Sequence, residues 1–185
     1  VPTPMPGSPK PTPDPPGAPV PIGLNVCIDH LQSGLHLVTG TESKGAALDA
    51  VLHRDWGDYD KPSDQWKFET AEAGGYFITN ISSGMRLTFE DSGSARRPLV
   101  KVVDSQDVDT ERWTVRWSDL LDSFTLHPAI QGFDHLAVTP KDSLYRQKGE
   151  SAPAAWSDTS LWLVPREPYL TQLFKIVPRS ASRCC

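Results

Sequence analysis

The chain has 185 residues, with 18 basic and 23 acidic side chains and a net charge of −5, a length that fits one ordinary domain plus a tail or at most two very small ones. An acidic balance with no basic stripe excludes a binder of the phosphate backbone, so no nucleic-acid partner is expected. No apolar run approaches the roughly 18 residues of a membrane span, and no charged-then-apolar leader opens the chain, which reads as soluble.

Residues 1–22 come first, and about half of them are proline. Proline fixes φ and lacks a backbone donor, so this arm cannot join a sheet and is expected to be an extended, solvated linker. From Gly23 the pattern changes to short alternating runs. Val26 to His30 reads as a strand, Ser33-Gly34 as a tight turn, and Leu35, Leu37 and Thr39 as the inward side of a second strand. Gly40 to Gly45 is a loop, and Ala46 to Leu52 is a third strand. His53 to Ser63 is a polar, aromatic and turn-rich segment of the sort that carries function on a β scaffold. Ser63-Asp64-Gln65-Trp66-Lys67-Phe68-Glu69 ends this first unit.

The pattern then repeats. Thr110-Glu111-Arg112-Trp113-Thr114-Val115 and Thr159-Ser160-Leu161-Trp162-Leu163-Val164 follow Trp66 at intervals of about 47 and 49 residues. The turns Ser33-Gly34, Ser83-Gly84 and Gln131-Gly132 keep the same step, as do the strands Val26 to His30, Tyr76 to Asn80 and Phe124 to Pro128. Three series in one phase define an internal threefold repeat, covering 23–69, 74–119 and 120–167. Each turn glycine is expected at positive φ. Leu173 to Pro178 copies the opening strands and reads as the first strand of a fourth unit. It either closes beside the amino-terminal strand or belongs to a longer array, with 179–185 as a tail.

About four short strands per unit must close on themselves to hide their edges, so the expected class is all-β with pseudo-threefold symmetry. Trp66, Trp113 and Trp162, with Phe68, Val115 and Val164, are expected to meet at the axis. Cys27 lies in an apolar strand and reads as a packing thiol, while Cys184-Cys185 leaves open an intermolecular disulfide, lipidation or an end without a role. With no internal disulfide framework a reducing, cytoplasmic location is expected; secretion is the alternative, because a chain starting at Val1 does not show its native amino terminus. In a cytoplasmic chain the sequon Asn80-Ile81-Ser82 is discounted. No nucleophile elbow, phosphate loop or His-x-x-x-His pair occurs, and the five histidines read as solvated or satisfied imidazoles at surface or turn positions. No enzyme activity, catalytic residue, metal or cofactor is expected.

A Ser-Gly-x-x-Leu turn followed by a strand of the type Gln-x-Trp-x-apolar, three times over, resembles the β-trefoil of ricin-B-type lectins. Lys61-Pro62-Ser63 and Asn80-Ile81-Ser82-Ser83-Gly84 resemble single-domain fungal agglutinins of that family. The glutamine of the motif is Asp64, Glu111 and Ser160 here, and Gln172-Leu173-Phe174 preserves it out of phase. The resemblance implies a lectin for galactose or N-acetylgalactosamine-type glycans. A sugar stacks its C–H face on an aromatic ring while its hydroxyls need directional partners. The matching positions in the first unit are Thr39, Gly40, His53, Trp56, Asp64 and Gln65. The second unit offers Glu90, Asp91, Asp104, Glu111 and Arg112 without a platform, and the third Thr139, Tyr145, Arg146 and Asp158. The alternatives are a protein-binding trefoil such as a cysteine-protease inhibitor, and a scaffold that binds no sugar. A homodimer is left open.

Overall fold

The computed structural model describes residues 20–39, 48–53, 64–91, 97–118, 122–140, 159–166 and 170–178. The described residues form twelve short strands: β1 (Asn25–His30), β2 (His36–Thr39), β3 (Leu48–His53), β4 (Trp66–Thr70), β5 (Tyr76–Asn80), β6 (Arg86–Glu90), β7 (Leu99–Val103), β8 (Arg112–Ser118), β9 (Ser123–Pro128), β10 (Leu136–Pro140), β11 (Thr159–Pro165) and β12 (Phe174–Pro178). Single 3-10 turns, Asp109–Glu111 and Leu170–Gln172, lead into β8 and β12. No helix among the described residues is long and apolar enough to cross a membrane.

Antiparallel pairing runs β1–β4–β5–β8–β9–β12 and returns from β12 to β1, so six strands form a closed ring. The other six form the hairpins β2–β3, β6–β7 and β10–β11, joined to one another through β3–β7, β7–β11 and β11–β3. Closure of this kind leaves few unpaired strand edges. The apolar faces meet inside. Ile28, Trp66, Phe68, Ile78, Trp113, Phe124, Leu126 and Phe174 are fully buried, and Val115 nearly so. Phe68 and Val115 therefore face inward as the alternation of Trp66-Lys67-Phe68 and Trp113-Thr114-Val115 predicts.

The register of the ring corrects the phase of the third unit. Trp66 lies opposite Asn80, Trp113 opposite Pro128, and Phe174 opposite His30. The ring matching Trp66 and Trp113 is thus Phe174, and Gln172-Leu173-Phe174 is the third copy of the motif. Trp162 sits instead in β11, the third strand of its set. There Leu161 and Leu163 are buried while Trp162 and Val164 are only partly buried. Side chains alternate with a period of two, so one residue of difference in phase moves every side chain to the other face. The strand at 174–178, counted from sequence as the start of a fourth unit, is the fourth strand of the third set. It closes the ring against β1 over five paired residues.

The turns after β1 and β5 follow one design with different residues. Asn80 Oδ1 accepts the amides of Ser82 and Ser83, both at 3.1 Å, and Ser83 Oγ accepts the Met85 amide at 3.2 Å. At the matching place His30 Nδ1 accepts the Ser33 amide at 3.3 Å, and Ser33 Oγ accepts the Leu35 amide at 3.1 Å. Gly34, Gly84 and Gly132 adopt φ of 70°, 70° and 91°, as expected for glycine entering each turn. Asn80 is fully buried in its turn. A glycan there would require the cap to be torn out, which is a stronger ground for discounting the sequon than compartment.

Cys27 is also fully buried, but it is disulfide-bonded rather than a packing thiol. Such bonds persist in oxidising compartments, so the ground for expecting a cytoplasmic location is removed. Cys184 and Cys185 lie outside the described residues.

Candidate functional site

The residue two before each of the three buried rings, Asp64, Glu111 or Gln172, is itself buried. In two of the three sets the structure shows what it holds. Glu111 accepts the Gln106 amide at 3.2 Å and the Val108 amide at 3.0 Å, fixing the connection from β7 to β8. Gln172 donates from Nε2 to Thr139 Oγ1 and to the Pro165 carbonyl, both at 3.2 Å, tying the β11–β12 connection to β10. Arg86 ion-pairs with Asp107 and lies 3.6 Å from Glu111, with its guanidinium 3.9 Å above the Phe77 ring. Glu111 is thus part of a buried charge-assisted lock. Arg112 donates to the carbonyls of Ala73 and Gly74 at 3.1 Å and to Asp109 at 3.0 Å, so it too holds loops in place.

The first-unit candidates fall as follows. Thr39 is half-buried at the end of β2 and pairs with Ala50, whereas His53 ends β3 opposite His36. Three residues of strand, about 10 Å, therefore separate Thr39 and His53 along the hairpin. Asp64 and Gln65 are buried just ahead of Trp66. Gln65 accepts the Ile81 amide through its carbonyl at 2.9 Å and the Asn25 side chain at 3.5 Å, so it bridges β1 and the turn after β5. Gly40 and Trp56 lie outside the described residues, as do Tyr145, Arg146 and Asp158 of the third unit. Glu90, Asp91 and Asp104 of the second unit are exposed, and Val100 and Val102 are in the core. Thr139 is buried, donating to the Ala137 carbonyl at 3.0 Å. Among the described residues no group of three or more His, Cys, Asp or Glu could hold a metal ion.

Three of the histidines are the satisfied kind, hydrogen-bonded but buried rather than at the surface. His30, His36 and His127 are buried, and His135 is exposed. His36 Nδ1 donates to Asp29 Oδ1 at 2.6 Å. His30 donates from Nε2 to the Thr171 carbonyl at 2.8 Å and packs edge-on against Phe174. Its pKa is lowered, chiefly by burial, with the Thr171 bond opposing. His127 donates from Nδ1 to the Leu136 carbonyl at 2.7 Å and accepts the Thr125 hydroxyl at Nε2 at 2.6 Å. Burial first, then the charge of Arg116, and last Arg166, push its pKa down to about 3 against the bond to Leu136.

A histidine with a depressed folded pKa is protonated in the unfolded chain before it is protonated in the native one. Its contribution to stability is complete above about pH 6.5 and is lost as pH falls toward about 3. At pH 5 the expected loss from His127 is about 2 kcal/mol relative to pH 7. Urea denaturation of the wild type at pH 7 and pH 5, beside His127→Gln, checks this: the variant is expected to lose the His127 share of the slope and to keep the part that buried His30 contributes in the same direction.

Among the described residues, two aromatic rings outside the core carry an arginine each, Phe77 under Arg86 and Trp162 under Arg97, the latter at 4.9 Å. Trp162 is expected at the axis from sequence because its neighbours Leu161, Leu163 and Val164 are all apolar and hide which face is inward.

No family model matches the chain, and no curated protein matches it in sequence. Solved structures do match in fold. The ricin B-like lectin of Macrolepiota procera, determined with lactose, aligns with a TM-score of 0.64 at 14% identity, over 88% of this chain and all of the lectin. A protein described as the BEL beta-trefoil aligns at 0.60 and 13% identity, over 90% of this chain and 99% of its own. A mosquitocidal holotoxin aligns at 0.68 and 10% identity, but the chain covers 86% of itself and only 18% of the toxin. The chain is therefore an all-β protein with the fold of trefoil-like neighbours, ricin B-like lectins among them.

Proposed function

We propose that this chain is a β-trefoil carbohydrate-binding protein, a lectin without catalytic activity, that takes galactose or N-acetylgalactosamine-type glycans. The observation that carries the reading is end-to-end: a closed six-strand ring with three linked hairpins, superposable on the whole of a lectin determined with lactose. The three linked hairpins, with their connecting loops, supply the loop-borne surface on which such folds bind ligands. The proposed sugar site belongs to the first unit and uses Trp56 or His53 as the ring platform, with Thr39, Gly40, Asp64 and Gln65 supplying polar partners. Burial suits Asp64 and Gln65 to a structural share in that site, Gln65 through its bonds to Ile81 and Asn25.

Titration with lactose is expected to shift the intrinsic tryptophan fluorescence saturably. Trp56→Ala is expected to weaken binding at least tenfold, since loss of a stacked ring and its desolvated contact is worth about 1.4 kcal/mol or more. Lactose binding at wild-type strength by both Trp56→Ala and His53→Ala would move the site elsewhere.

A further inference from the structure

The same place in the three sets of strands is filled differently. Phe174 lies opposite His30, Trp66 opposite Asn80 and Trp113 opposite Pro128, so the residues one earlier, Asp29, Thr79 and His127, are equivalent. In the first set Asp29 lies opposite His36 and binds it at 2.6 Å. In the second Thr79 lies opposite Arg86, which pairs with Asp107 and reaches Glu111 at 3.6 Å. Each base there has an acid. In the third set a base, His127, stands where the first has Asp29. Thr114 lies opposite His127 and Arg116 opposite Thr125, which makes Arg116 the diagonal neighbour of His127 on one face of the β8–β9 pair. That face is turned away from the core, because Trp113 and Val115 take the other. On the far side His127 Nδ1 reaches the Leu136 carbonyl at 2.7 Å, and the neighbouring His135 carbonyl accepts the Arg166 amide at 2.8 Å. Arg116 and Arg166 thus flank one imidazole from two strand pairs, and both charges act on it.

Arg116 is partly buried and Arg166 is exposed. Among the described residues neither makes an ion pair, with exposed Asp134 or any other acid, although the chain carries a net charge of −5 and Arg86 and Arg112 are both paired. Two cations about one spot repel, and an anion between them turns that repulsion into attraction. We propose that Arg116 and Arg166 form a site for a tetrahedral oxyanion carried as a phosphate or sulfate ester. Each guanidinium offers a planar fork of N–H donors, and an oxyanion with three or more free oxygens can take both forks at once. Thr114 presents a hydroxyl on the same face. His127 stays neutral at pH 7 and holds the strand pairs on either side in place. The site stands whether or not the chain is a lectin, since none of its residues belongs to the first-unit site.

Nuclear magnetic resonance of the His127 imidazole in the full chain reads the site directly. The probes are inorganic phosphate, inorganic sulfate, galactose 6-phosphate and galactose 6-sulfate, with acetate and sodium chloride at matched ionic strength as controls. Arg116→Gln, Arg166→Gln and Arg97→Gln, each confirmed as folded by circular dichroism, are titrated beside the wild type. The tetrahedral ions and at least one ester are expected to move the His127 signals saturably. Arg116→Gln and Arg166→Gln are each expected to weaken that binding about tenfold or more, while Arg97→Gln, which removes the same charge elsewhere, leaves it unchanged. Shifts that sodium chloride reproduces would reduce the effect to screening and overturn the assignment. Equal binding by acetate, or binding that survives both substitutions, would overturn it too. Inorganic ions bound while both esters are refused would reject the ester ligand.

Discussion

Trp113→Ala is expected to lower the unfolding free energy by about 3 to 5 kcal/mol, and Trp66→Ala by a similar amount, against a total of about 5 to 15. Both indoles are fully buried, and each also makes a directional bond. Trp66 Nε1 donates to the Leu37 carbonyl at 2.8 Å and Trp113 Nε1 to the Leu87 carbonyl at 2.9 Å, so each ring pins the second strand of its own set to the ring of six. Truncation leaves a cavity and an orphaned carbonyl together. Trp162→Ala, by contrast, removes a ring from outside the core and is expected to cost less than about 1 kcal/mol. Equilibrium urea denaturation of the three variants measures the contrast. Equal costs at positions 113 and 162 would mean that the third unit is phased as the sequence spacing suggests and not as the strand register shows.

Gly75→Ala is the second large effect. Gly75 has φ of 76°, and a Cβ added there would lie 2.7 Å from the Trp113 carbonyl oxygen and 2.8 Å from the Ala129 Cβ. The strained φ costs about 1 to 2 kcal/mol, and the clash with backbone adds about 1 to 3, for about 2 to 5 in all. Gly84→Ala is the control. Its φ is nearly the same at 70°, but the added Cβ meets nothing within 4 Å, so only the conformational cost remains. The difference between the two melting temperatures isolates the packing of the β4–β5 turn against β8 and the start of the turn after β9.

Much of the architecture is legible in the sequence because it depends on local rules. The Ser33-Gly34 and Ser83-Gly84 turns, the alternation of Trp66 with Phe68 and the opening strands at 25, 76 and 123 each depend on a few adjacent side chains. The third unit is harder for a physical reason. Leu161-Trp162-Leu163-Val164 is apolar on both faces, so alternation does not reveal which residues turn inward, and Trp162 at the expected interval outweighed Gln172-Leu173-Phe174. The interval from Trp113 to Phe174 is about 61 residues rather than about 47, lengthened within the β10–β11 connection. Long-range partners were not legible at all. His127 reads as a turn histidine until Leu136 and Thr125 enclose it, and Cys27 reads as a thiol until its bond is seen. Of the first-unit candidates, Asp64 and Gln65 are adjacent to Trp66 by sequence alone, but their burial follows from the closed ring.

The central claim is that this fold displays loops that hold a saccharide, and a glycan array probed with the full chain tests it most directly. The account predicts a cluster of signals on terminal galactose or N-acetylgalactosamine structures, competed by free lactose. A blank array from protein that is folded and monodisperse would contradict it.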